Sequence, residues 1–230
     1  VTKTFRPLQT ATYSIGSSLI QTPQGYRLAV CVSRKETREQ VAEAVIEDTT
    51  PEEAARLLAA LGYWFGGHEG TGIAFNIWEG NVPGTVMGRQ IIRLGYPWLY
   101  YHSDTDKRNA KPGDKYGWKA TDERAERLMI ECRRSLATGI YSMRGEGTAT
   151  ACERMVLYES GGMGPWDAKD NRADDTSVTR AQAVALALSV YGLEQCSACN
   201  PPKRVPVRGT TAYEEARLDR EADKDKNRLW

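Results

Sequence analysis

Along the chain the spacing of apolar positions changes period several times, and each change marks an element. Ala11–Ile20 places Tyr13, Ile15 and Leu19 at alternating positions around Gly16, the pattern of a strand. Thr22-Pro-Gln-Gly25 reads as a turn, because Pro presets one dihedral and Gly permits a positive φ. Tyr26–Val32 is an apolar run and reads as a second strand. The polar segment Ser33–Arg38 connects it to a third, Gln40–Ile46. Three strands with short connections predict an antiparallel meander.

At Thr50 the period becomes helical. Thr50 fits the N-cap, Pro51 the first helical position, and Glu53 completes a capping box. Ala54, Leu57, Leu58, Leu61 and Trp64 or Phe65 then form one face, and Gly66-Gly67 ends it. Thr71–Trp78 returns to period two, with Ile73, Phe75 and Ile77 on one face. The same period puts Glu79 on that face, at the strand's carboxyl end. Pro83 leads a helix through Val86, Ile91 and Leu94 that Gly95 closes, and Pro97–His102 reads as a fifth strand. Ser103–Lys119 is a long polar loop. Thr121–Thr138 predicts a helix with Gly139 as its stop, Gly139–Met143 a short edge strand, Thr148–Tyr158 another helix, and Gly161–Asn171 a loop. A long Ala-rich helix follows the pair Asp174-Asp175 and runs to Gly192. Either acid can cap it, since a carboxylate accepts from the free N–H groups of a first turn.

This order, β-β-β-α-β-α-β and then helices, predicts an α/β fold of the ribonuclease H-like type. Its mixed sheet has three antiparallel strands followed by αβαβ, with helices flanking it. A Rossmann dinucleotide site is disfavoured, because helices do not separate the first strands and no Gly-x-Gly-x-x-Gly follows a strand. A P-loop is excluded, since no Gly-Lys-Ser/Thr occurs. The 230 residues divide into one domain over 1–195 and a charged tail over 196–230 that carries Pro201, Pro202 and Pro206.

Composition narrows the setting. With 31 basic and 30 acidic residues the net charge is +1, so local distribution rather than the total decides whether a polyanion binds. Five scattered cysteines, an odd number, point to a reducing compartment rather than a disulfide framework. No signal sequence or membrane-spanning run is visible. A soluble intracellular protein is the expectation.

The candidate chemistry is acidic. In a ribonuclease H-like sheet, carboxylates converge from strand 1, the end of strand 4 and the start of the last helix. There they hold two divalent ions about 4 Å apart for phosphodiester cleavage. Glu79 and Asp174/Asp175 fall at two of these positions. Without that convergence, the acidic pair reads as an ordinary helix cap. Lys107, Arg108, Lys111, Lys115 and Lys119, with Trp118 beside them, could track a DNA backbone or form a solvated loop. Cys196-x-x-Cys199 is half a zinc site without a second pair. His68-Glu69 reads as a solvated loop pair, and His102 lies near the predicted site edge. Ser142 reads as edge-strand packing and Glu153 as a helix-surface acid.

Four segments occur in order: Trp78-Glu79-Gly80-Asn81-Val82-Pro83-Gly84, Leu94-Gly95-Tyr96-Pro97-Trp98-Leu99-Tyr100, Tyr116-Gly117-Trp118-Lys119-Ala120-Thr121, and Asp174-Asp175 before the Ala/Leu-rich helix. Together they resemble the C-terminal nuclease domain of tailed-phage large terminases over roughly residues 12–192. The resemblance implies a metal-dependent endonuclease that uses Mg²⁺ or Mn²⁺ at a two-metal site to cut concatemeric viral DNA during genome packaging. Glu79, Asp174 and Asp175 would be its catalytic and metal-binding residues. The implied partners are double-stranded DNA, the terminase ATPase domain, the small terminase subunit and the portal protein. The implied location is the cytoplasm of an infected bacterium, with no membrane partner. One position departs from the family. Ser18, in Tyr13-Ser-Ile-Gly-Ser-Ser18, stands where the family has a strand-1 Asp, and residues 1–35 contain no Asp or Glu. Three accounts follow: an altered or degenerate site that docks DNA or the portal without cutting, compensation by another acid such as Asp170, or a shifted strand-1 register. An unrelated ribonuclease H-like resolvase or exonuclease is the remaining alternative.

Overall fold

The structure is a computed structural model that describes residues 7–8, 11–66, 73–101, 116–157, 163–165 and 173–198. In chain order the elements are β1 (Tyr13–Thr22), β2 (Gly25–Arg34), β3 (Glu39–Thr49), α1 (Pro51–Gly66), β4 (Phe75–Trp78), α2 (Val82–Arg93), α3 (Asp122–Ala137), α4 (Glu146–Glu153), β5 (Met155–Leu157), β6 (Met163–Pro165) and α5 (Ala173–Ala198). The main sheet has the order β3-β2-β1-β4, with β1 antiparallel to β2 and parallel to β4. This is the predicted meander joined to a parallel fourth strand. Pro23-Gln24 forms the β1–β2 turn, with Thr22 paired to Gly25, whose φ is 145°.

The capping box forms as read. The Thr50 amide donates to Glu53 Oε2 at 3.0 Å, and the Glu53 amide donates to Thr50 Oγ1 at 3.2 Å. Asn76 and Ile77 show how the layers stack. Adjacent strand residues point to opposite faces. Asn76 Nδ2 donates to the Leu58 carbonyl of α1 at 3.4 Å, whereas Ile77 borders Gly192 of α5. Helix α1, packed against α2, therefore covers one face, and α5, packed against α3 and α4, covers the other. Helix α5 is apolar almost all round because it is buried almost all round: Ala181, Ala183–Ser189 and Leu193 lie in the core.

The side of β1 facing α5 carries only small residues. A Cβ at Gly16 would fall 2.1 Å from the Ala185 carbonyl oxygen and 2.3 Å from the Ser189 nitrogen, so the helix backbone rests directly on the strand. Ser14 Oγ occupies the corresponding space beside Gly192. Ser14, Gly16 and Ser18 share this face by period two.

Four elements differ from the sequence reading. Gly139–Met143 forms an isolated parallel bridge, Ser142 to Glu39, instead of an edge strand. Residues 97–101 lie beside β4 through a single parallel bridge, Asn76 to Leu99, instead of forming a full fifth strand. Pro97 has no N–H to extend that ladder. The helix expected over Thr148–Tyr158 stops at Glu153, and Met155–Leu157 pairs antiparallel with Met163–Pro165. The last helix continues past 195 to Ala198, so the expected tail boundary falls within its final turn. The rest of the tail, including Cys199, lies outside the described residues. Among the described residues no helix is long and apolar enough to cross a membrane.

Candidate active site

The carboxyl ends of β1 and β4 meet at Glu79. The parallel register pairs Ser17 with Trp78, and the Glu79 amide donates to the Ser17 carbonyl at 2.9 Å. Glu79 follows the last β4 residue. Its carboxylate is only 1% exposed, so each of its oxygens needs a partner. Ser18 Oγ, fully buried, donates to Glu79 Oε2 at 2.5 Å, and Asn81 Nδ2 approaches the same oxygen at 3.3 Å. Arg180 of α5 donates from Nη2 to Glu79 Oε1 at 2.9 Å.

The segment Glu79-Gly80-Asn81-x-x-Gly84 has a physical reason at each fixed position. The Gly80 amide donates to the Trp118 carbonyl at 2.6 Å, and a Cβ there would lie 2.9 Å from that oxygen. Asn81 is the N-cap of α2: its Oδ1 accepts from the Gly84 amide at 2.7 Å, while its Nδ2 reaches the Leu19 carbonyl at 3.0 Å. At Gly84 a Cβ would fall 2.0 Å from the Glu79 carbonyl oxygen, so only glycine lets the first turn of α2 close over the strand end. The Trp118 amide donates to the Trp78 carbonyl at 2.8 Å, which locks 116–118 alongside the acid.

Ser18 therefore sits beside Glu79, in the register read from the sequence, and no shift of strand 1 brings another acid there. Asp174 and Asp175 lie in the first turn of α5, where carboxylates are favoured by the helix dipole; the structure describes their backbone only. Asp170, His68, Glu69, His102, Lys107, Arg108, Lys111 and Lys115 lie outside the described residues. Lys119 is exposed. Trp118 is 6% exposed, so its ring belongs to the core and offers no stacking platform; the polar neighbourhood in sequence hid its packing role. Ser142 makes the edge contact expected of it, bridging to Glu39, and Glu153 is exposed.

Arg180 and Asn81 went unread. The signal for Arg180 was present: it is the only charged residue between Val178 and Leu193. A lone cation on a helix otherwise packed all round needs a buried partner. Burial pushes the Cys31 thiol up to about 12 and the Cys152 thiol to about 11. Cys196 is buried and donates to the Leu193 carbonyl at 3.2 Å.

Among the described residues no group of three His, Cys, Asp or Glu side chains gathers, and Glu79 already faces a guanidinium. Two ions require several anionic oxygens, of which Glu79 supplies two.

No protein-family model and no curated protein matches the sequence. Solved structures do. The large terminase nuclease of thermophilic phage G20c superposes with a TM-score of 0.54 at 13% identity, over 81% of this chain and 84% of that one. Its form with bound magnesium gives 0.58 at 12% identity with the same coverage. The large terminase nuclease domain of Thermus phage P74-26 gives 0.54 at 12% identity, over 78% of each chain. Sheet order and these superpositions agree: the chain has the ribonuclease H-like fold seen in phage large-terminase nuclease domains.

Proposed function

We propose that this chain is the nuclease domain of a viral genome-packaging terminase, a metal-dependent endonuclease that cuts concatemeric double-stranded DNA by phosphodiester hydrolysis. The observation that carries the proposal is the buried Glu79 carboxylate at the junction of β1, β4 and α5, below the helix that opens with Asp174-Asp175. Its work belongs in the cytoplasm of an infected bacterium, beside an ATPase domain, a small terminase subunit and a portal protein. The G20c nuclease has been solved with magnesium, cobalt and zinc, which supports divalent metal use by the same fold.

In hydrolysis a water oxygen bonds to phosphorus, one P–O ester bond breaks, and the leaving oxygen takes a proton. Glu79 with Asp174 or Asp175 would hold Mg²⁺ or Mn²⁺. When bound, the ion lowers the pKa of coordinated water and stabilises charge on the phosphate. The chain's own contribution is placement. Ser18 and Asn81 fix Glu79 Oε2, while the α2 cap and the Trp118 bridge hold the backbone that carries it. Exposed Lys119, together with Lys107, Arg108, Lys111 and Lys115, would supply phosphate contacts.

The test is nicking of supercoiled plasmid in Mg²⁺ or Mn²⁺ by the wild type, Glu79→Ala and Asp174→Ala. Metal-dependent nicking that both substitutions abolish supports the proposal, and nicking that survives both refutes it. The Ser18–Glu79 hydrogen bond favours a second reading, a docking module that grips DNA or the portal without cutting. That reading predicts duplex binding with no nicking in either metal.

A further inference from the structure

The centre holds Ser18 where the resemblance implies an acid, and an arginine lies against Glu79. We infer that these two features are one adaptation: the Arg180 guanidinium takes the place of the second divalent ion and grips a phosphate oxygen of the DNA. The phosphate half rests on the DNA reading above.

Three observations carry this. First, the contact geometry is that of a bound cation. Glu79 Oε1 is reserved for Arg180 at 2.9 Å, while Oε2 takes the neutral donors Ser18 and Asn81. A carboxylate this deeply buried needs a positive partner or coordinated metal. Second, Arg180 is asymmetric in its burial. Its side chain remains 36% exposed although Glu79 is closed off at 1%, and among the described residues its ion pair is with Glu79 alone. A guanidinium has five N–H donors in a fixed fork, so one edge can hold the carboxylate while another meets a phosphate. Third, the charge is supplied: the guanidinium gives Glu79 a fixed positive partner, which a second ion would otherwise provide. Replacing the strand-1 acid by serine alone would leave two ions under-ligated, and Arg180 removes the need for one of them.

This assigns Ser18 a positive role. An aspartate at 18 would set a second anion against Glu79 in a closed pocket with one cation. Serine, with a hydroxyl that donates, instead fixes the acid's rotamer for the arginine.

The proposal is tested on the full chain by two metal-independent or stoichiometric readouts. Calorimetric titration with Mn²⁺ alone counts ions: one for the wild type, two for Ser18→Asp/Arg180→Ala. Arg180→Ala by itself, with fewer folding demands, binds its Mn²⁺ about tenfold more tightly, since Glu79 no longer answers to the guanidinium. Binding to a short DNA duplex in EDTA reads the phosphate contact. Arg180→Ala weakens it about tenfold and lowers the slope of log affinity against log salt by about 1. Arg180→Lys keeps the slope but loses part of the affinity. Two ions in the wild type overturn the proposal, as does an Arg180→Ala duplex affinity and salt slope equal to the wild type's. If no variant binds duplex, the DNA function falls, while the ion count still decides whether Arg180 is the second cation.

Discussion

Arg180→Ala leaves Glu79 closed inside the protein with its charge unopposed. Ser18 and Asn81 still hydrogen-bond to Oε2, but Oε1 loses its partner. Breaking a fully buried ion pair costs about 3–5 kcal/mol, and breaking a solvated one costs about 0–1 kcal/mol. Here the carboxylate belongs to the first class and the guanidinium, 36% exposed, lies between the two. The expected loss is about 2 kcal/mol. For a chain of this size each kcal/mol lowers Tm by about 2–4 °C, giving a drop of about 4–8 °C. Thermal unfolding in EDTA measures it. Two controls isolate the cause. Adding Glu79→Gln to Arg180→Ala removes the stranded charge and recovers most of the loss. Adding Mn²⁺ at about 100 times its Kd returns about 2.7 kcal/mol to the single variant. A single variant that melts with the wild type in EDTA, or a double variant no better than the single one, would refute the reasoning that Arg180 is the counter-charge of Glu79.

Other expectations are equally direct. Gly16→Ala forces a methyl into the Ala185 and Ser189 backbone of α5, which no side-chain rotation relieves, and urea unfolding should show a loss of about 3 kcal/mol. Replacing Asp174 and Asp175 together by alanine should reduce plasmid nicking about a hundredfold, because the pair is the proposed partner of Glu79 in holding the metal. Glu39, bound by Thr37 and Arg144 and flanked by Arg34, has its carboxyl held below the ordinary range by the Thr37 hydroxyl first, then the arginines, against the opposing effect of burial. A depressed folded pKa means that the unfolded chain binds more protons as pH falls. The Glu39 contribution is therefore full above about pH 4.3 and fades as pH drops through the folded value. Urea midpoints of the wild type and Glu39→Gln should differ at pH 6 and converge toward pH 3.

Local chemistry wrote much of this fold into the sequence. The Thr50–Glu53 capping box and the Thr22–Gly25 turn each involve residues within a few positions of one another, so their partners could be named directly. The placement of Glu79 was legible because period two fixes the face and the strand's end fixes the height. What escaped depends on packing between distant segments. Trp118 looks like a loop aromatic until the Trp78 backbone pairs with it. Met155–Leu157 continues an apolar run, and only its pairing with Met163–Pro165 decides for strand over helix. Arg180 has no partner within its own helix turn; its partner lies 101 residues away. Ser18 could be read as a missing acid from the sequence, but its role as a donor to Glu79 appears only once β1, β4 and α5 are brought together.

The most direct test of the account is a crystal structure soaked in Mn²⁺, with ions located by anomalous scattering. The account predicts one ion, ligated by Glu79 and the acidic pair of α5, with Arg180 still on Glu79 Oε1 and Ser18 still donating to Oε2. Two ions at the ends of β1 and β4, with Arg180 displaced from Glu79, would contradict it.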